Sequence, residues 1–166
     1  AQVHFESGDQ PGALDFARKA VRYGRKGAEA HFTLGYILHF LGETDEALRE
    51  VEAALALAPD HMTSLRCKVS IFVSLGRMND AAALCREFHE KFPDELSIYL
   101  SYSQTGKLKS DDPMILDLTE RMLPLAIKAG PDHHEMVQKM IAKLRLDQGD
   151  HEGAFLAYTD AKAIKP

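Results

Sequence analysis

The chain has 166 residues, 45% of them hydrophobic, with a formal net charge of -5. That length fits one domain or one compact array, and the acidic balance argues against nucleic acid as the main partner, because phosphate binding needs clustered Lys and Arg. Two cysteines give no disulfide framework and point to a reducing, cytoplasmic setting; no apolar run approaches the ~20 residues that cross a bilayer.

Taken in order, the pattern predicts helices almost throughout. Residues from Asp9 to about Gly24 read as one helix, with Pro11 in its first turn, Ala13, Ala17 and Ala20 on the packed face, and Gly24 to Gly27 ending it. From Ala28 the chain reads as two amphipathic helices joined at Gly42-Glu43-Thr44, with Leu34, Gly35 and Leu38 on the first, Ala47, Val51 and Ala54 on the second, and Pro59 as the stop. Small residues at Gly35, Ala47 and Ala54 let two backbones approach closely. A similar pair runs from Met62 to Pro93; its second helix, Asn79 to about Phe92, turns Ala81, Cys85 and Phe88 inward. A helix from Glu95 to about Gly106 follows, then a polar loop, then a helix from Pro113 to Ala129 with Asp111 or Asp112 as cap. Pro124 removes a hydrogen bond inside that helix and is expected to kink it. The last pair is His133 to about Gln148 and the segment after Gly149-Asp150, with Ala154, Tyr158 and Ala161 on its packed face.

Gly42 and Gly76, Ala47 and Ala81, and Pro59 and Pro93 all stand 34 residues apart, and the same step back from Gly42 and Ala47 lands on Gly8 and Ala13. Gly149, Ala154 and Pro166 repeat the spacing of Gly42, Ala47 and Pro59. With Leu34-Gly35, Ala47, Ala54 and Pro59 in place, the chain resembles the tetratricopeptide repeat family, whose signature runs Trp, Leu-Gly, Tyr, Ala, Phe, Ala, Pro. It departs from that signature at His31, Leu38 and Val51, which stand at the Trp, Tyr and Phe positions. The resemblance implies an all-α fold, a right-handed α-α superhelix of about five antiparallel helix pairs. Its units are 1–27 (partial), 28–61, 62–95, 96–134 (irregular, with a longer loop) and 135–166. A first unit that begins mid-pair, and a last one without a polar capping helix, imply a piece of a longer protein, with Phe155 and Ile164 partly bare.

A narrower resemblance covers Ser110 to Pro166. An acidic loop and Pro, an irregular helix, and an ending with Gly149, Ala154 and Phe155 before a Lys-rich end look like bacterial proteins that join tetratricopeptide repeats to a sulfotransferase domain. This implies a substrate-recruiting or assembly arm whose catalytic domain lies outside the chain. No catalytic residue transfers, since the sequence shows no strand pattern and no Gly-rich phosphate loop.

The residues offer little chemistry of their own. His133 and His134 are adjacent and do not share a helix face, His31 and His39 are two turns apart, and no Cys pair or His-Glu-x-x-His motif has ligand spacing. No nucleophile elbow appears, and Cys67 is the thiol expected to have some exposure. The expectation is therefore no catalytic residue, no metal and no cofactor. Function falls to the concave face that, in the resembled family, the first helices line with their second, fifth, ninth and twelfth positions. Those positions make Phe32, Tyr36, His39, Arg66, Ser70, Gln104, Lys139 and Lys143 the candidate peptide-binding residues, aromatic at one end and basic at the other. Phe32 and Tyr36 replace the Lys and Asn that a carboxylate-clamping member would carry. The expected function is a non-catalytic protein-interaction scaffold for a protein or peptide, with homo-oligomerisation through the terminal helices as a further reading.

Overall fold

The structure, a computed structural model, describes residues 10–23 and 27–163. The expectations on Gly8, Asp9, Gly24, Ile164 and Pro166 fall outside the described residues. Every regular element among them is helical, and they divide into two compact units, 1–77 and 78–166.

In the first unit, small residues at four-residue spacing set the packing. Helix α1 (Gln10–Arg22) buries Ala13 and Ala17 and leaves Ala20 half-buried. It lies against α2 (Ala28–Phe40), which pairs with α3 (Thr44–Leu57), and α3 in turn packs on α4 (Met62–Ser74). One apolar core runs through all four: Ala13 and Ala17 from α1, Leu34, Ile37 and Leu38 from α2, Ala47 and Val51 from α3, and Cys67 and Ile71 from α4. Each of the larger aliphatic side chains contributes about 1.5–3 kcal/mol by leaving water. The tightest point is Gly35. A Cβ there would lie 2.7 Å from Val51 Cγ2 and 3.1 Å from the Ala47 carbonyl oxygen, so only glycine lets α2 and α3 come this close.

The turns repeat one device. Gly42 (φ +83°) follows α2, and the N–H groups of Gly42 and Glu43 bond back to the carbonyls of His39 and Leu38. Gly76 (φ +71°) does the same after α4, with the N–H of Arg77 reaching the Phe72 carbonyl. This is the left-handed glycine cap that satisfies the last carbonyls of a helix and turns the chain.

The second unit contains α5 (Met78–Lys91), α6 (Leu96–Tyr102), α7 (Pro113–Asp117), a π-helical turn (Leu118–Met122), α8 (Leu123–Ala129), α9 (Pro131–Asp147) and α10 (His151–Ala163). Helices α9 and α10 form a close hairpin over the same glycine turn at Gly149 (φ +83°), and α10 buries Ala154, Ala157 and Ala161.

One sequence expectation changes here. Helix α6 stops at Tyr102 rather than near Gly106. Hydroxyls of Ser103 and Thr105 donate to the carbonyls of Leu100 and Tyr102, 2.7 and 2.9 Å, and so compete for the groups that would continue the helix. Ahead of Pro124 the helix carries a widened, π-type turn. The Leu123 N–H bonds the Leu118 carbonyl five residues back, the helix absorbs one extra residue before the proline, and it then runs on to Ala129. Asp112 is the cap ahead of Pro113, accepting from the Met114 N–H at 3.0 Å.

Candidate interaction face

In the first unit, α2 and α4 lie side by side and run the same way. Glu29 and Phe32 near the start of α2 meet His61 just before α4, while His39 near the end of α2 meets Ser70 on α4. Phe32, Tyr36, His39 and Ser70 therefore come together along this pair, and Arg66 stands one helical turn before Ser70 on α4. Phe32 is half-buried, tilted against Tyr36 (ring centroids 6.0 Å apart) and edge-on to His61 (5.5 Å). Such ring pairs fix the rotamers of both partners. Tyr36, Phe40 and Arg66 are exposed. His39 Nε2 lies 3.1 Å from Ser70 Oγ, whereas its Nδ1 is buried with no partner among the described residues, and burial lowers its pKa. The neutral ring is thus favoured, leaving aromatic and hydroxyl surface along α2 and α4.

The second unit treats its candidates differently. Gln104 is exposed in the turn after α6, not on a helix. Lys139 is paired with Glu135 at 2.5 Å, and Lys143 with Asp147 at 2.6 Å, each one helical turn away. Lys143 also donates to the Gly106 carbonyl at 3.3 Å, and Asp147 accepts from the Leu108 N–H at 2.9 Å. The pair thereby fastens the loop after α6 to α9. Burial alone would raise the Asp147 pKa, but the Leu108 N–H and Lys143 outweigh it and hold it low. Each lysine is paired with a mostly buried carboxylate, so the net positive charge there is smaller than the residue types imply.

Three polar clusters were not foreseen. Glu29, His61 and Ser64 form a chain, with His61 Nε2 3.2 Å from Glu29 and Nδ1 2.6 Å from Ser64 Oγ. The order is that of a nucleophilic triad, but Ser64 is 0% exposed, so no substrate carbon can reach its oxygen. The chain serves to fix the start of α4 against α2. In the second unit, two Tyr–Asp–Arg clusters tie distant segments. Tyr99 donates to Asp117, and Arg121 grips Asp117 through Nε (2.7 Å) and Nη2 (2.8 Å) while donating to the Pro93 carbonyl (2.6 Å) and pairing with Asp94. Tyr102 donates to Asp112, and Arg86 donates to the Tyr102 hydroxyl at 2.6 Å and to Asp112 at 3.2 Å. Burial first, then the adjacent carboxylates, pushes the Tyr102 phenol up to about 12 and Tyr99 higher still. These phenols stay protonated donors: they are structural, not acid–base, groups.

Cys67 is buried, against the expectation of some exposure, because its position on α4 faces the shared core rather than solvent. Burial pushes the thiols of Cys67 and Cys85 up to about 12, far from a reactive thiolate. Among the described residues no His, Cys, Asp and Glu group has the arrangement to hold a metal ion, and no helix is long and apolar enough to cross a membrane. What the arrangement offers chemically is a rigid, partly aromatic surface.

Comparison with known proteins fits this geometry. The family profile described as "Tetratricopeptide repeat" matches residues 28–61, the segment of α2, α3 and the turn between them. No curated protein matches significantly. Among solved structures, the thermophilic tetratricopeptide-repeat protein TTC0263 of Thermus thermophilus is similar with a TM-score of 0.68 and 19% identity, over 98% of this chain and 86% of that one. MamA, residue 41 to the end, from Desulfovibrio magneticus RS-1 is similar with a TM-score of 0.64 and 17% identity, over 99% and 90%. Residues 28–61 are therefore a tetratricopeptide repeat, and the chain around them has the all-α helical-repeat fold of tetratricopeptide-repeat proteins.

Proposed function

We propose that the chain is a non-catalytic protein-interaction module that takes an extended peptide on the α2–α4 face of its first unit. The supporting observation is Tyr36, 46% exposed beside a Phe32 ring that Tyr36 and His61 hold in place. A large aromatic surface that is already ordered costs little entropy to engage, which is why such residues anchor interfaces. Arg66 supplies a planar fork for a carboxylate, and the His39–Ser70 pair supplies hydroxyl and imidazole contacts. The peptide chemistry that fits is an apolar anchor followed by an acidic residue. Lys139 and Lys143 contribute to partner binding only where a partner's acid displaces Glu135 or Asp147 from them.

The test is selection from an array of peptides carrying one Leu or Phe and one Glu or Asp at varied spacing, followed by titration against variants. Tyr36→Ala and Arg66→Glu should each weaken the selected peptides at least about tenfold, and Lys139→Glu with Lys143→Glu should change them little. Equal affinity in the Tyr36 and Arg66 variants, with helical content intact, sinks the assignment.

A further inference from the structure

The α2–α4 face of the first unit carries an exposed acid, Glu29, and an exposed base, Arg66. Glu29 stands in the first turn of α2, and its side chain is 71% exposed. That position favours an acid in any helix, because the free N–H groups there carry partial positive charge. Here the carboxylate is also held in place. Its Oε2 lies 3.2 Å from His61 Nε2, and His61 Nδ1 lies 2.6 Å from the Oγ of the fully buried Ser64. The same imidazole is edge-on to Phe32. A fixed ring thus sets an exposed carboxylate beside the aromatic residues of the face. Arg66 has no ion-pair partner among the described residues, whereas Arg18 and Lys68 of the same unit are paired with Glu46 and Glu52.

The spacing of the two charges follows from helix geometry. Arg66 is five residues beyond His61, about 7.5 Å along the axis at 1.5 Å per residue. Glu29 lies at the level of His61, so acid and base are separated by about that distance along the face. An extended peptide advances about 6.6–6.8 Å in two residues, and residues two apart point to the same side. A base and an acid two positions apart therefore reach Glu29 and Arg66 together. We infer that the occupant of this face carries a basic residue two positions from its acidic one, the base meeting Glu29 and the acid meeting Arg66, while its apolar anchor lies on Tyr36. This rests on the peptide-binding proposal for the same face and adds to it a second charge and a spacing. A segment with acids at both positions would set like charge against Glu29 and is disfavoured.

Calorimetric titration of the 166-residue chain tests the inference. The probes are nine-residue peptides with one Leu, one Glu and one Lys in a Gly/Ser background, made with Lys two residues before and two residues after Glu; the tighter order is kept. Exposed charge pairs are weak, so changing the peptide's Lys to Gln should lower affinity about threefold. Glu29→Gln removes the charge but keeps an oxygen for His61, and in that variant the Lys and Gln peptides should bind alike. Arg66→Gln should erase the preference for the peptide's Glu and leave the preference for its Lys. Moving Lys to six residues from Glu, roughly 20 Å in an extended chain, should remove its advantage. A parent chain with no Lys preference, a Lys preference that survives Glu29→Gln, or one that is equal at both spacings overturns the inference. Tyr36→Ala should weaken the Lys and Gln peptides equally. Binding that depends on Tyr36 without coupling to Glu29 sinks the charge pattern alone, whereas binding indifferent to Tyr36→Ala, or no binding of any probe, sinks the peptide face with it.

Discussion

Replacing Gly35 by Ala probes how closely α2 and α3 approach. The added Cβ would stand 2.7 Å from Val51 Cγ2, and 3.1 and 3.2 Å from the Ala47 carbonyl oxygen and the Val51 nitrogen. Carbon atoms rest about 3.5–4.0 Å apart, so Val51 must move by roughly 1 Å. It has nowhere to go: its branched side chain has one strongly favoured rotamer in a helix, and it is fully buried. The strain should cost about 1–3 kcal/mol, offset by the roughly 0.8–1 kcal/mol that Ala gains over Gly inside a helix. A net loss of up to about 2 kcal/mol is expected in urea denaturation followed by far-UV circular dichroism. Val51→Ala alone should lose about 2 kcal/mol through its cavity. Combined with Gly35→Ala it should lose less than the sum by about 1 kcal/mol, because the clash with Cγ2 is gone while the backbone contacts remain. A Gly35→Ala chain that is more stable than its parent, or a strictly additive pair, would show that the two helices lie further apart than described.

The acid side of stability should depend on the second unit's carboxylates. The Arg121 hydrogen bond, against the opposing effect of burial, holds Asp117 below its ordinary value, and Tyr102, the Met114 N–H and Arg86 outweigh burial to do the same for Asp112. The unfolded chain then takes up protons first, near pH ~3.9; the stabilisation is present above that and is lost as pH falls through the lower folded values. Asp117→Asn should cost about 2 kcal/mol at neutral pH and flatten the loss below pH ~4, and an acid titration identical to the parent's would refute the role given to this cluster. Both thiols should resist a disulfide reagent at pH 8 until urea unfolds the chain, and rapid labelling of Cys67 in the native protein would contradict its burial. Gly149→Ala, at φ +83°, should cost about 1–2 kcal/mol of thermal or urea stability, since the alanine must adopt a left-handed backbone; no change would mean that the turn rearranges freely.

The hairpins were legible because their signals are local. A glycine that must take positive φ marks a turn wherever it falls, and alanines four residues apart mark a helix face that a neighbour will cover. The pairing of Lys139 with Glu135 and of Lys143 with Asp147 was also present as four-residue spacing, although the residue types alone made that region look basic. The resemblance to sulfotransferase-linked proteins rested on the acidic loop and Pro113, the irregular helix after them, and the ending with Gly149, Ala154 and Phe155. In the fold Gly149 makes the turn and Ala154 packs in the hairpin.

The sequence by itself determined the class of fold, the glycine turns and the packed alanine faces, because backbone sterics and helical periodicity act over a few residues. Only the tertiary structure decided that Cys67 faces the core, that a wide turn accommodates Pro124, and that Tyr99 and Tyr102 are held by Asp117, Arg121, Asp112 and Arg86. Those partners stand 10 to 22 residues from their tyrosines. No local rule brings such groups together; the burial of the surrounding apolar side chains does, and the hydrogen bonds then satisfy what burial would otherwise leave unpaired.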